Sequence, residues 1–293
     1  MQHINNDKEG ANPMSELINS LHSSEANPIF LISFYTMAFL FGICVGSFLN
    51  VVILRLPRHE SLIKRSSHCM TCGAKIRACD LIPVFSWLML RGKCHSCGEK
   101  ISPRYPIVES LNGILYVLTF FVLDLNADSI ITCVLMSLLI VVAFMDWDTM
   151  EIDMIIVGII FVLAVPSALF TDRASLLHRI IGAFIISVPF YVIGEISRGF
   201  IKKKTGEDYR AIELGDTILM FAAGALLGTK AIIVSALIGI VVAAVIGLIN
   251  KYVTGNSKFA FGPFLSIGIA IGSLWGNGIA DWYINLLKGP AQQ

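Results

Sequence analysis

Runs of apolar residues decide most of what this 293-residue chain can become. Pro28 to Leu54, Ile130 to Met145 and Ala231 to Ile249 contain no charged side chain at all. A helix needs about 20 apolar residues to cross a bilayer, and the lipid interior tolerates no open strand edge. The chain therefore reads as an all-α polytopic membrane protein. Composition agrees, with 55% hydrophobic and 15% charged residues, where a soluble domain carries about 25% charged. The net charge of +1 is no guide to nucleic acid, and no nucleic-acid partner is expected.

Eight membrane helices are expected, at about Pro28 to Leu54, Ile107 to Leu123, Ile130 to Trp147, Asp153 to Phe170, Leu176 to Ile196, Asp216 to Leu227, Ala231 to Ile249 and Phe261 to Leu287. The implied organisation is a polar tail over 1–27, a first membrane helix over 28–54, a loop over 55–106 and a membrane core of about seven helices over 107–288. The tail is acidic and rich in Asn and Ser, which reads as poorly ordered rather than as a cleavable signal. An even number of spans puts both termini on one side, and Lys and Arg mark cytoplasmic loops. The loops after the first, third, fifth and seventh spans hold 17 of the 22 basic residues. Lys8, Arg173, Arg179, Lys230 and Lys288 lie on the other side. Both termini are thus expected to face outward. Lys202, Lys203 and Lys204 read as orientation anchors, with contact to anionic lipid heads as a second role. Seven spans result if the short sixth segment, with Gly215, Gly224 and Gly228, is re-entrant. Close helix packing is the other use of those glycines.

The basic loop after the first span contains Cys69-Met-Thr-Cys72 and Cys94-His-Ser-Cys97, separated by 21 residues. Each C-x-x-C makes a knuckle that aims two thiolates at one point, and Gly73 and Gly98 permit the turns. Two knuckles make a closed tetrahedral site, so a structural zinc is expected on Cys69, Cys72, Cys94 and Cys97. A small polar loop without a core can be held together by metal. Two disulfides are the weaker alternative in a reducing cytoplasm. His68 and His95 read as bystanders. Cys44 and Cys133 read as packing thiols within spans, and Cys79 carries no assignment.

Four carboxylates, Asp146, Asp148, Glu151 and Asp153, fall between two apolar runs, and Asp216 lies at the mouth of a later one. Ionisable groups at a membrane boundary are costly and tend to be functional. The central expectation is that Asp146 and Asp216 meet in space as one catalytic site. Two neighbouring carboxyls share a proton, one serving as acid and the other as base. Such a pair can activate water against a peptide carbonyl without metal or nucleophilic side chain. The chain contains no G-x-S-x-G elbow, no H-E-x-x-H and no Walker loop. Asp148, Glu151 and Asp153 read as solvated turn and N-cap groups. Gly215 lets the backbone at Asp216 approach another chain closely, which suits an extended substrate.

These features in order resemble a known family. The first span ends Gly46-Ser-Phe-Leu-Asn-Val-Val-Ile-Leu-Arg-Leu-Pro57; the C-x-x-C pairs follow, then Pro103-Arg104-Tyr105-Pro106-Ile-Val-Glu109, the aspartate stretch, Gly215-Asp216 and Phe261-Gly262-Pro263. The chain is similar to the type IV prepilin leader peptidases, bacterial inner-membrane aspartyl proteases. The resemblance implies that Asp146 and Asp216 are the two catalytic aspartates. It matches Cys69, Cys72, Cys94 and Cys97 to the zinc-type cysteines of the family's cytoplasmic loop. It implies removal of a basic leader from prepilins or pseudopilins at the cytoplasmic face, then N-methylation of the new N-terminus from S-adenosylmethionine. That cofactor rests on the resemblance alone.

The sequence departs from the family in two places. The family commonly has Pro-Asp eight residues after the first catalytic aspartate, where this chain has Ile152-Asp153 seven residues on. Asp148 is the fallback for the first position. Around the second, Glu213 and Ile218 replace a glycine and a lysine. A basic leader would be met by acidic groups, for which Asp148, Glu151, Glu207, Asp208 and Glu213 are candidates. A transporter or a membrane scaffold with a zinc loop is the alternative class. A transporter would place its charges near mid-span, often on broken helices related by a repeat, and no repeat is visible.

Overall fold

The computed structural model describes residues 28–63, 67–206, 208, 210–254 and 259–288. The expected tail over 1–27, and Glu207, lie outside them. Among the described residues every element is helical. Two isolated antiparallel bridges, His68 with Lys75 and Lys93 with Lys100, are the nearest approach to sheet. The helices are α1 (Pro28–Arg55), α2 (Phe85–Met89), α3 (Arg104–Leu123), α4 (Ala127–Thr149), α5 (Met154–Val162), α6 (Ala164–Phe170), α7 (Leu176–Thr205), α8 (Leu214–Leu227), α9 (Thr229–Thr254) and α10 (Gly262–Lys288). Six of them, α1, α3, α4, α7, α9 and α10, are long and apolar enough to cross a membrane. The chain is a multi-pass membrane protein with the four-cysteine loop between its first two long helices.

Local chemistry sets the helix ends. Asn126 starts α4 by accepting the Ser129 N–H at 2.9 Å, and the Ser129 hydroxyl accepts the Asn126 N–H at 3.1 Å. Asp153 caps α5 by accepting the Ile155 N–H at 2.7 Å, the N-cap role expected of it. The expected fourth span breaks at Leu163 because Pro166 has no N–H for the Val162 carbonyl and its ring crowds that oxygen. Helix α7 runs nine residues beyond the apolar stretch that ended at Ile196. Its last turn carries Lys202, Lys203 and Lys204 against the helix dipole, and Gly206 ends it at φ 77°.

Helix α4 is the hub. In its central window 61% of residues are buried, against 28% for α7. It packs on α1, α3, α6 and α10, with Leu135, Met136, Leu139 and Val141 in the core. The outer faces of the bundle expose Leu, Ile, Val and Phe, as a lipid solvent requires. Without a hydrophobic force between helices, close approach does the work. Helices α7 and α8 cross at Gly182 and Gly224, where a β-carbon on Gly224 would stand 2.1 Å from the Gly182 oxygen. Any side chain at Gly224 would force these helices apart. Helices α1 and α3 meet at Gly42 and Gly113, and Asn112 donates to the Gly42 carbonyl at 2.7 Å.

Helix α8 has 14 residues and rises about 21 Å, short of a hydrocarbon core about 30 Å thick. It is surrounded by α5–α7, α9 and α10, so Leu219, Met220, Ala222 and Ala223 are all buried. One end is held by Arg179, which is 3% exposed. Its guanidinium donates to Leu226 O at 2.6 Å, Ala174 O at 3.0 Å and Ser167 O at 3.1 Å. Carbonyls left free at helix C-termini thereby solvate a buried cation.

Candidate active site

Asp146 sits in the last turn of α4 and Asp216 in the first turn of α8. Their exposures are 5% and 4%. Both are therefore inside the protein, where an ionised carboxylate needs compensation. They lie near enough that the charge of Asp146 acts directly on Asp216, and Glu213 lies in the field of Asp146 as well. The two buried carboxyls are 70 residues apart in sequence, one at the end of α4 and the other at the start of α8.

A third helix completes the site. Gly262 opens α10, and its N–H donates to Asp146 Oδ2 at 2.8 Å. The first N–H groups of a helix have no partner within it, and a carboxylate is their natural acceptor. A β-carbon on Gly262 would stand 2.8 Å from that same oxygen. Asp216 Oδ2 accepts the Glu213 N–H at 3.2 Å, which ties this carboxylate to its own helix start. Gly215 does allow a close approach, but the near neighbour is the chain's own Ile152, whose Cβ would lie 3.0 Å from an added β-carbon. The turn after α4 thus packs against the backbone of Gly215.

The other acidic candidates are placed differently. Asp148 is salt-bridged to Arg104, with Nη1 2.7 Å from Oδ2. The same guanidinium donates to the Phe144 carbonyl at 3.2 Å and lies over the Phe144 ring at 5.0 Å. Arg104 therefore ties the start of α3 to the last turn of α4. Glu151 is exposed. Asp208 is bound by Arg198 at 2.5 Å and Lys202 at 3.4 Å, and the Arg198 hydrogen bond holds its carboxyl well below the usual range. Neither Gly262 nor Arg104 had been given a role from sequence. Gly262-Pro263 at the edge of an apolar run is a helix-start signal that exposes an N–H, but its partner 116 residues away has no local trace.

The four cysteines form one cluster, with the Sγ atoms of Cys69, Cys72, Cys94 and Cys97 within 4.8 Å of one another. Both knuckles repeat one hydrogen-bond pattern. Gly73 N–H reaches Cys69 O and Gly98 N–H reaches Cys94 O, each at 2.9 Å. The turns close through Gly73 at φ 70° and Gly98 at φ 74°, where a side chain would be strained. Cys69 and Cys97 Sγ are 3.9 Å apart. Zinc–sulfur bonds near 2.3 Å put tetrahedral sulfurs about 3.8 Å apart, so the cluster fits this ion. N–H groups of Cys72 and Thr71 bring the Cys69 thiol down to about 6. Cys97 goes the other way, to about 12: an N–H from Glu99 favours its thiolate, but desolvation and hydrogen bonds with the Cys72, Cys94 and Cys69 thiols together outweigh it. Four thiols this close share protons until a divalent cation replaces them.

Residues 40–123 match the Bacterial Peptidase A24 N-terminal domain and residues 133–248 the Type IV leader peptidase family. The Prepilin leader peptidase/N-methyltransferase of Neisseria gonorrhoeae is 34% identical over 265 residues, which cover 79% of this chain and 87% of that protein. The protein of the same name from Aeromonas salmonicida is 30% identical over 292 residues, covering 87% and 95%. That from Myxococcus xanthus is 32% identical over 228 residues, covering 76% of this chain and 65% of its own length. No solved structure matches the chain. Fold and site define a polytopic helical membrane protein with a buried carboxylate pair and a four-cysteine loop. The chain belongs to the type IV leader peptidase family.

Proposed function

We propose that this chain is a membrane aspartyl endopeptidase that removes the basic leader of type IV prepilins or pseudopilins, with Asp146 and Asp216 as its catalytic pair. The observation that carries this reading is the burial of both carboxyls, Asp146 at the end of α4 and Asp216 at the start of α8, with Asp216 in the field of Asp146. Two such groups hold one proton between them. The ionised member takes a proton from water as its oxygen attacks the scissile carbonyl. The protonated member hydrogen-bonds the carbonyl oxygen and then protonates the departing nitrogen. Gly262 N–H fixes Asp146 without competing for that proton.

The substrate's apolar helix lies in the bilayer beside the enzyme, which brings its cleavage point to the level of the pair. The excess of basic residues in Arg55 to Pro106 and in Arg198 to Arg210 supports a cytoplasmic location for this face, in a bacterial inner membrane. Zinc on Cys69, Cys72, Cys94 and Cys97 is structural, since four sulfurs leave no open position. The names of the relatives support a second activity, N-methylation of the new N-terminus. S-adenosylmethionine, the donor implied by the family, would supply the methyl group.

Purified protein incubated with a prepilin and S-adenosylmethionine should yield a product lacking the leader and carrying one added methyl, read by mass spectrometry. An intact prepilin with a wild-type, folded enzyme would contradict the peptidase reading.

A further inference from the structure

Buried hydroxyls in these helices are satisfied locally. Ser137 donates to the Cys133 carbonyl at 3.2 Å and Ser235 to the Ala231 carbonyl at 2.8 Å. On α10 itself, Ser273 donates to the Ala270 carbonyl at 2.8 Å. Ser266, also on α10, is different. It is 4% exposed, and its Oγ has no hydrogen-bond partner among the described residues. The other buried atom of this kind, Asp128 Oδ1, is compensated by Arg173 Nε at 3.2 Å. An unpaired buried hydroxyl is destabilising, and an alanine would avoid that cost.

The helix geometry gives this hydroxyl its surroundings. One face of α10 meets α9, since β-carbons on Gly268 and Gly272 would collide with α9 at Ser235. Ser266 lies two residues before Gly268, about 200° round the helix, so it points away from α9. Besides α9, α10 packs mainly on α4 and also on α8, the helices that carry Asp146 and Asp216. Ser266 follows Gly262 by four residues and shares its face. That face meets the site, because Gly262 N–H donates to Asp146 Oδ2 at 2.8 Å. Ser266 stands about 6 Å further along the axis, and helical side chains lean back toward the N-terminus. Its side chain therefore leans toward the turn that donates to Asp146.

We propose that Ser266 positions the attacking water of the aspartyl site, an inference that rests on the peptidase reading above. A water at this depth needs polar partners on more than one side. One of its hydrogens goes to the ionised carboxylate, which takes that proton as the oxygen attacks. Ser266 Oγ accepts the second hydrogen, a role open to a hydroxyl. The water is then held by both hydrogens, with a lone pair free for the scissile carbonyl. This role accounts for a hydroxyl that is not turned back on its own helix.

The test is steady-state cleavage of a prepilin by full-length wild type, Ser266→Ala and Ser266→Thr in detergent, with melting temperatures followed by circular dichroism. Ser266→Ala should lower kcat about tenfold, the factor set by loss of one hydrogen bond. Its KM should stay within about twofold of wild type, and its melting temperature should be unchanged or raised. Ser266→Thr keeps the hydroxyl and should recover most of the rate. Ser266→Ala with a wild-type kcat would overturn the proposal and leave the hydroxyl merely unpaired. A rise in KM at unchanged kcat would assign the hydroxyl to the substrate and overturn it as well, as would Ser266→Thr as slow as Ser266→Ala. Each of these outcomes leaves the peptidase reading standing; that reading falls if wild type leaves the prepilin intact.

Discussion

At the scale of single residues, the site depends on one backbone N–H. Gly262 both donates to Asp146 and leaves the space its carboxylate occupies. Gly262→Ala would press a methyl onto Oδ2, so either the carboxylate or the start of α10 must shift. Misplacements near 1 Å at reacting groups cost about a hundredfold. The variant should insert and bind substrate normally but lose about that factor in kcat, measured on a prepilin in detergent. Arg104 acts one step further out, through Asp148 and the Phe144 carbonyl. Its pair is partly exposed, so Arg104→Asp should cost only about three- to tenfold in cleavage. Combining it with Asp148→Arg should recover part of the loss, whereas additive losses would mean that the pair does not position α4.

The same scale separates what the sequence told from what it withheld. Cys69, Cys72, Cys94 and Cys97, with Gly73 and Gly98, carry their geometry in a four-residue spacing, because each knuckle closes on itself. Asp146 and Asp216 drew notice because charge at the end of an apolar run is anomalous wherever its partner lies. Gly262 and Arg104 gave no such sign, since their meaning lies in contacts made across the bundle. Arg179 is a caution of another kind. Counted only as a charge on the outer side, it turns out to be buried among the carbonyls of two helix ends.

At the scale of elements, the apolar runs located every long helix to within a few residues. The exceptions have physical causes. Pro166 splits the fourth segment, and α7 continues into water because its polar end is helix-favouring and capped by Gly206. The four-cysteine loop is the element most exposed to conditions. Without an apolar core of its own, it should lose order when metal is stripped. Metal competes with protons for the thiols, so affinity falls as pH falls. With Cys69 at about 6 and Cys97 at about 12, proton competition already operates at neutral pH and grows through pH 6. Zinc release followed by a chromogenic chelator should therefore accelerate between pH 7 and 5, with the membrane helices still folded by circular dichroism. Release independent of pH would contradict thiolate ligation.

At the scale of the whole molecule, a short central helix, α8, is enclosed by its neighbours on several sides, which puts acidic groups inside a protein that lives in lipid. The enclosure needs the Gly182–Gly224 contact and the Arg179 staple at the far end of the same helix. The proposed orientation has a direct check. A single cysteine placed in the 1–27 tail of a cysteine-free background should react with a membrane-impermeant maleimide in intact spheroplasts, and one placed after Lys202 should not. The reverse pattern would invert the topology.

The most direct test of the central claim is prepilin cleavage by wild type, Asp146→Asn and Asp216→Asn, each purified at equal level and checked for helix content. Asn is nearly isosteric with Asp but can neither accept nor deliver the proton. Two-carboxylate catalysis predicts that each single change lowers cleavage at least about a thousandfold, and that the double variant is no worse than either. A variant that cuts at the wild-type rate would remove that residue from the site. If it were Asp146→Asn, Asp148 would be the next carboxylate to replace.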